Sequence, residues 1–177
     1  MLKKTTPKHF EFIKSLIVEG ATTGVFSPEL ASPLADTLFF HGLWAGISQG
    51  SMSIKQRQSG LTSYTYFNQA HSKAEPLGFI LIKDDENLTE LWMCSIQSQY
   101  RGKGLGKLMI SEAMQTIKSK NIMGRCSPGS SIALRILQKQ GFISLGKGDE
   151  GTEFVVSNRM APALQAELKT HFSAQPE

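Results

Sequence analysis

An α+β domain, equally describable as α/β, is the fold class this 177-residue chain predicts. Three observations point there. Apolar residues recur at helical spacing in the first fifty positions, switch to strand-like runs between residues 61 and 96, and return to helical spacing after residue 104. Two of the strand-like runs flank a short polar turn, the pattern of an antiparallel meander. With 40% hydrophobic and 19% charged residues, and an ordinary 16 Gly and 7 Pro, the composition excludes collagen-like and low-complexity chains.

The first helix is expected from Pro7 to about Val18. Thr6 is placed to cap it, Pro7 tolerates the first helical position, and Gly20 is expected to stop it. Phe10, Ile13 and Ile17 form its apolar stripe, and a connection runs from Ser27-Pro28 to Pro33. A second helix, Leu34 to about Ser48, carries Leu38, Phe39, Leu43, Trp44 and Ile47. Ser51 to Gly60 is polar and without period, so a loop is expected. Leu61–Phe67, Leu77–Ile82 and Leu88–Ile96 read as strands. The turn-like Lys83-Asp84-Asp85-Glu86-Asn87 joins the last two. A glycine-punctuated turn, Ser98 to Gly106, leads into a helix reaching about Ser119, with Leu105, Leu108, Met109, Ala113 and Ile117 as its stripe. Ile122–Cys126 is a short strand. Ser130–Gln140 is a helix with Ile132, Ala133, Ile136 and Leu137 inward. Phe142–Leu145 and Thr152–Ser157 are the last strands, and Leu164–Phe172 is either a terminal helix or a frayed tail.

A chain of this length buries roughly 70% of its unfolded surface, enough for one domain over residues 1–177, with a core of about 1–160 and a terminal helix or tail at 161–177. No apolar run approaches the ~20 residues of a membrane span, and the basic start lacks the apolar stretch of a signal peptide. Cys94 and Cys126 lie in internal-looking stretches, which fits thiols in a reducing cytoplasm. The net charge of +4 suits an anionic ligand where the cations cluster. They do not form an extended stripe interleaved with aromatics, so nucleic acid is not the expected partner. The scattered His9, His41, His71 and His171 and the two cysteines show no metal-ligand spacing.

The stretch with the most chemistry is Gln99-Tyr100-Arg101-Gly102-Lys103-Gly104-Leu105-Gly106-Lys107. It joins a strand to a helix, where glycines let a ligand approach the backbone and unpaired N–H groups meet the positive end of the helix dipole. Arg101, Lys103 and Lys107 add charge for a phosphate. It is not a P-loop, since Gly106-Lys107 is followed by Leu108, and it does not satisfy the dinucleotide fingerprint Gly-x-Gly-x-x-Gly.

It does match Arg-x-x-Gly-x-Gly on Arg101, Gly104 and Gly106, and in this the chain resembles the GCN5-related N-acetyltransferase (GNAT) superfamily. The order of elements from residue 1 to about 157 and the stretch Gln138-Lys139-Gln140-Gly141-Phe142 are similar as well. The resemblance implies a central, mostly antiparallel twisted sheet of six to seven strands flanked by helices. It also implies acetyl-CoA as cofactor and acetyl transfer to a primary amine by direct attack on the thioester. The cofactor's pantetheine arm would pair with the backbone of Cys94, Ser95 and Ile96. Its pyrophosphate would rest on Arg101, Gly102, Lys103, Gly104, Leu105, Gly106 and Lys107. Cys94 reads as a small packed hydrophobe.

Glu90 stands on an apolar strand, eleven residues before Arg101, where the superfamily's histone-acetyltransferase branch has its general base. Apolar neighbours there would tune it for base work. Two departures accompany the match. The superfamily's general-acid Tyr falls on Leu137, which cannot donate a proton, and its helix-start Asn falls on Ser130. Tyr64, Tyr66, Tyr100 and Ser127 are the substitutes the sequence offers. A non-catalytic or degenerate acyl-CoA-binding module is therefore the alternative to a transferase. The acceptor surface is expected from the second helix, the 51–60 loop and the Leu61–Phe67 strand, with Phe39, Phe40, Trp44, Tyr64 and Tyr66 as its aromatics. A small amine, a peptide N-terminus and a protein lysine all remain open as acceptor, as does a homodimer.

Overall fold

The protein is described by a computed structural model, which covers residues 1–54, 57–67, 75–85 and 87–173. In chain order it comprises β1 (Leu2–Lys4), α1 (Phe10–Thr22), α2 (His41–Gln49), β2 (Ser51–Ile54), β3 (Arg57–Phe67), β4 (Pro76–Asp84), β5 (Thr89–Ile96), α3 (Leu105–Thr116), β6 (Ile122–Cys126), α4 (Ser131–Lys139), β7 (Phe142–Lys147), β8 (Glu153–Ser157) and α5 (Pro162–Ser173). The strands form one sheet in the order β1-β3-β4-β5-β6-β8-β7, with β2 also on β3. β5 and β6 run parallel, and the other pairings are antiparallel.

Alternation along the strands divides the core between two faces of this sheet. Phe79, Leu81 and Met93 face α1 and α2, where they meet Ile13, Ile17 and Leu43. Ile80, Ile82 and Leu91 face α3 and α4, against Ile110, Ala113 and Leu137. The terminal segment is a docked helix: Leu164, Leu168 and Phe172 of α5 cover Met123, Val156 and Met160. Among the described residues, no helix is long and apolar enough to cross a membrane.

Several local expectations are corrected. Within the Ser51–Gly60 segment, expected as a loop, residues 51–54 form β2 and 57–60 begin β3, which raises the strand count among the described residues to eight; Lys55 and Gln56 lie outside them. The alternation Ser51-Met52-Ser53 was the missed signal. Met52 is buried beneath α2, where Gly42 and Gly46 leave room for it. Gly20 does not stop α1, which runs on to Thr22. Its bare Cα instead receives the ring of Phe26, and its carbonyl accepts from the Val25 and Phe26 N–H groups. No side chain caps the start of the first helix, and Thr6 faces His9 instead. α3 stops at Thr116. Leu108 and Ile132, expected inward, are 53% and 70% exposed on the first turns of α3 and α4. The second helix opens with a π-helical turn over Asp36–Phe40, which re-aims Phe39 and Phe40.

α4 is entered through a tight contact. Gly129 presses against the backbone of Gly24 and Val25, so a Cβ there would overlap the Gly24 carbonyl. Backbone cannot rotate away as a side-chain tip can. Gly129→Ala is expected to lower stability by ~1–3 kcal/mol, the usual range for overpacking, read as a fall in Tm. An unchanged Tm would show that this contact is slack.

Candidate active site

The functional geometry begins with two strands parting. β5 and β6 are in register at Thr89–Ile122, Glu90–Met123 and Leu91–Gly124, and then the ladder ends. β5 continues beside β4 to Ile96, with one irregularity: Ile82 faces Leu91 and Leu81 faces Met93, so Trp92 is the extra residue of a bulge. From Trp92 to Ile96, β5 has no strand on its β6 side among the described residues. Its far end is held to β4 by Gln97 N–H donating to Leu77 O at 2.9 Å. β6 is drawn the other way. Ser127 Oγ donates to Val25 O at 2.7 Å, and Ser130 Oγ to the same carbonyl at 3.2 Å. Ser130 thus ties α4 to the segment after α1 and does not cap its own helix.

The glycine turn closes one end of the split. Gly102 and Gly104 sit at φ 77° and 76°, a region glycine reaches without strain. A Cβ built on either would meet nothing within 4 Å, so the outer side of the turn is open. Gly104 precedes α3 directly, and no side chain caps the helix. The first N–H groups of α3 are therefore left for a ligand, and the helix dipole makes that ligand an anion. A pyrophosphate fits this start, and an extended amide-bearing arm fits the free edge of β5. Cys94, Ser95 and Ile96 lie on this free edge, and Arg101–Lys107 form the turn that leads into α3.

Arg101 is the exception within that set. Its Nε donates to Ile96 O at 2.8 Å, and its Nη2 lies 2.9 Å from Glu19 Oε1 of α1. The guanidinium is a brace between strand end, turn and helix. Lys103, whose Nζ lies 5.5 Å from the Tyr100 ring centroid, and the exposed Lys107 are the other cations of the turn.

Glu90 stands at the foot of the split, but its surroundings are ionic and not apolar as the sequence suggested. Lys83 Nζ lies 3.3 Å from Oε2, and Arg125 Nε donates to Oε1 at 2.6 Å. Trp92 joins the group: Lys83 Nζ lies 5.2 Å from its ring centroid, and Phe39 from the π-helical turn packs on it at 5.6 Å. The expected acceptor aromatics divide accordingly. Phe39 belongs to this cluster and Phe40 is buried in the core, while Trp44 is half exposed. Tyr64 and Tyr66 turn to the α3 face, two strands from β5. Burial raises the Tyr66 hydroxyl above its ordinary value, helped by the Glu112 carboxylate.

Leu137 packs against Gly124 at the apex of the split and is buried. None of the substitute acids is brought into the split among the described contacts, and Ser127 is already bonded to Val25 O. Arg125, Lys83, Trp92 and Glu19 were not singled out from sequence. Lys83 was readable in principle, since a hairpin about the 84–88 turn sets it opposite Glu90. Arg125 was readable too, as the lone charge within the apolar strand Ile122–Cys126.

A sheet split in this way beside an uncapped helix start is the architecture of GNAT acetyltransferases. The model of the acetyltransferase (GNAT) family matches residues 40–142, more than half of the chain, and the chain belongs to that family. Among solved structures, a domain from Methanocaldococcus jannaschii DSM 2661 superposes with a TM-score of 0.69 at 12% identity, over 88% of this chain and 96% of that one. The PaiA N-acetyltransferase of Thermoplasma acidophilum, in complex with coenzyme A, gives 0.67 at 18% identity, over 89% and 97%. A mutant spermidine N-acetyltransferase of Vibrio cholerae gives 0.60 at 11%, over 90% and 95%. No curated protein matches the chain in sequence.

Cys94 and Cys126 are free thiols. Desolvation, then the neighbouring Cys126, pushes the Cys94 thiol up to about 12. At pH 7.5 its thiolate share is on the order of one in ten thousand or less. Native protein should therefore resist iodoacetamide at this position, and Cys94→Ala should bind acetyl-CoA as the parent does. Rapid native alkylation with loss of binding would contradict the packed-hydrophobe role.

Proposed function

We propose that this chain is an acetyl-CoA-dependent N-acetyltransferase that acetylates a primary amine. The observation that carries the reading is the free edge of β5 leading directly into the uncapped, glycine-opened start of α3. Bound acetyl-CoA would supply the acetyl thioester that the amine attacks directly. The backbone of Cys94, Ser95 and Ile96 would align the cofactor arm like an added strand. The N–H groups from Gly102 to Lys107, with Lys103 and Lys107, would hold the pyrophosphate. Holding both reactants at the apex supplies the proximity that makes such an attack fast.

Glu90 is our candidate for the group that takes the amine proton. It is a carboxylate at the foot of the split, on the face opposite α3 and α4, and its two ion pairs fix both of its oxygens. Leu137 gives the departing thiolate no proton, so water is the simplest donor. The free cysteines support a reducing, cytoplasmic setting. A second reading, a non-catalytic acyl-CoA-binding module, is favoured by Leu137 filling the acid's place and by cations occupying both Glu90 oxygens.

Cofactor binding is tested by thermal shift. Acetyl-CoA should raise the Tm of the parent, because it binds the native state alone. Gly104→Val, strained at that φ and reaching into the open side of the turn, should lose most of the shift. Equal shifts in both proteins would remove the turn as the cofactor site.

Turnover is tested at Glu90. Glu90→Gln should bind acetyl-CoA like the parent but lower kcat by ~10²–10⁴-fold, the usual size of a general-base loss. An undiminished rate would make the carboxylate structural. Cofactor binding without release of free CoA, for any amine offered, would favour the non-catalytic module.

A further inference from the structure

We propose that the acceptor is an amine carrying a carboxylate, and that Arg125 binds that carboxylate and so determines specificity. The proposal rests on the transferase reading above and names its acceptor class. The cofactor would reach the apex from the side of α3 and α4, which cover one face of the sheet. An acceptor must then arrive from the other face. There the floor is made by Lys83 of β4, Glu90 and Trp92 of β5, and Arg125 of β6, with Phe39 as an aromatic wall.

The charges on this floor bear on what can approach it. Lys83 and Arg125 contribute two positive charges against the one negative charge of Glu90, leaving a net excess of one. A polyamine would bring further positive charge and meet repulsion. An amine that also carries a carboxylate is neutral overall and escapes that repulsion, and it can orient its carboxylate to the cations and its amine to Glu90.

Arg125 is built to receive that group. It is committed through Nε to Glu90, which fixes the plane of the guanidinium. Its two terminal nitrogens have no partner among the described residues, and the side chain is 44% exposed. Two parallel N–H donors on a fixed, open fork match a carboxylate bidentately. Arg125 also lies one residue beyond Gly124, where the ladder ends, so it borders the split itself. Glu90 acts on specificity as a positioning residue for this fork.

The test is calorimetric titration of the CoA-loaded full chain with glycine, β-alanine and 4-aminobutyrate, each against its amide, and with spermidine. At least one acid should bind more tightly than its amide and than spermidine. In Arg125→Ala that acid should bind ~10-fold or more weakly, the scale of a lost charge-assisted pair. CoA affinity should stay near that of the parent, while Tm should fall because Glu90 loses a partner. Arg125→Lys, which keeps the charge and loses the fork, should recover only part of the affinity. Acids and amides binding alike, spermidine binding tightest, or Arg125→Ala holding the acid as the parent does would each overturn the proposal. The titration reads binding, so it decides the role of Arg125 whether or not the amines are turned over. An intact binding preference with no acetyl transfer would count against the transferase reading alone.

Discussion

Leu91 and Gly124 form the last paired position between β5 and β6, and beyond it the two strands are anchored to different parts of the molecule. β4 and the brace from Arg101 hold β5. β6 passes into the Ser127–Ser130 segment, which is fastened to the carbonyl of Val25. Neither strand can close the gap without giving up those bonds. A sheet that would otherwise satisfy its own backbone is left with an open edge, and an open edge needs a partner. The turn Arg101–Lys107 begins five residues past that edge, so one local failure of pairing leaves an open amide ladder close to an uncapped helix start.

Charge is distributed around this split in two separate groups. At the glycine turn, Arg101 bridges Glu19 of α1 and the Ile96 carbonyl, which stiffens the turn and leaves its backbone N–H groups open. On the other side, Glu90 is held between Lys83 and Arg125. Pairing a buried carboxylate offsets its desolvation, and the second cation leaves the cluster positive. One group suits the phosphates of a cofactor and the other suits an anionic substituent on an acceptor.

The order of helices and strands and the glycine turn were legible in the sequence because each rests on local chemistry. Period, turn residues and the Arg101-x-x-Gly104-x-Gly106 spacing need no knowledge of distant contacts. What stayed hidden depends on tertiary partners. Gly20 reads as a stop until Phe26 is seen lying on it, and Met52 reads as loop until the glycines of α2 are placed above it. The pairing of Arg101 with Glu19, 82 positions away, likewise depends on the fold. Glu90 reads as a carboxylate among apolar neighbours because Trp92 and Leu91 are its sequence context, whereas Lys83 and Arg125 reach it across two different ladders.

In the proposed function the split and the turn act together as one cofactor site. Hydrogen exchange resolved to single amides, with and without CoA, tests it most directly. Slowed exchange confined to the β5 edge, Trp92–Ile96, and to Gly102–Lys107 is the predicted result. Protection of the turn with no change along β5, or protection centred elsewhere in the chain, would contradict it.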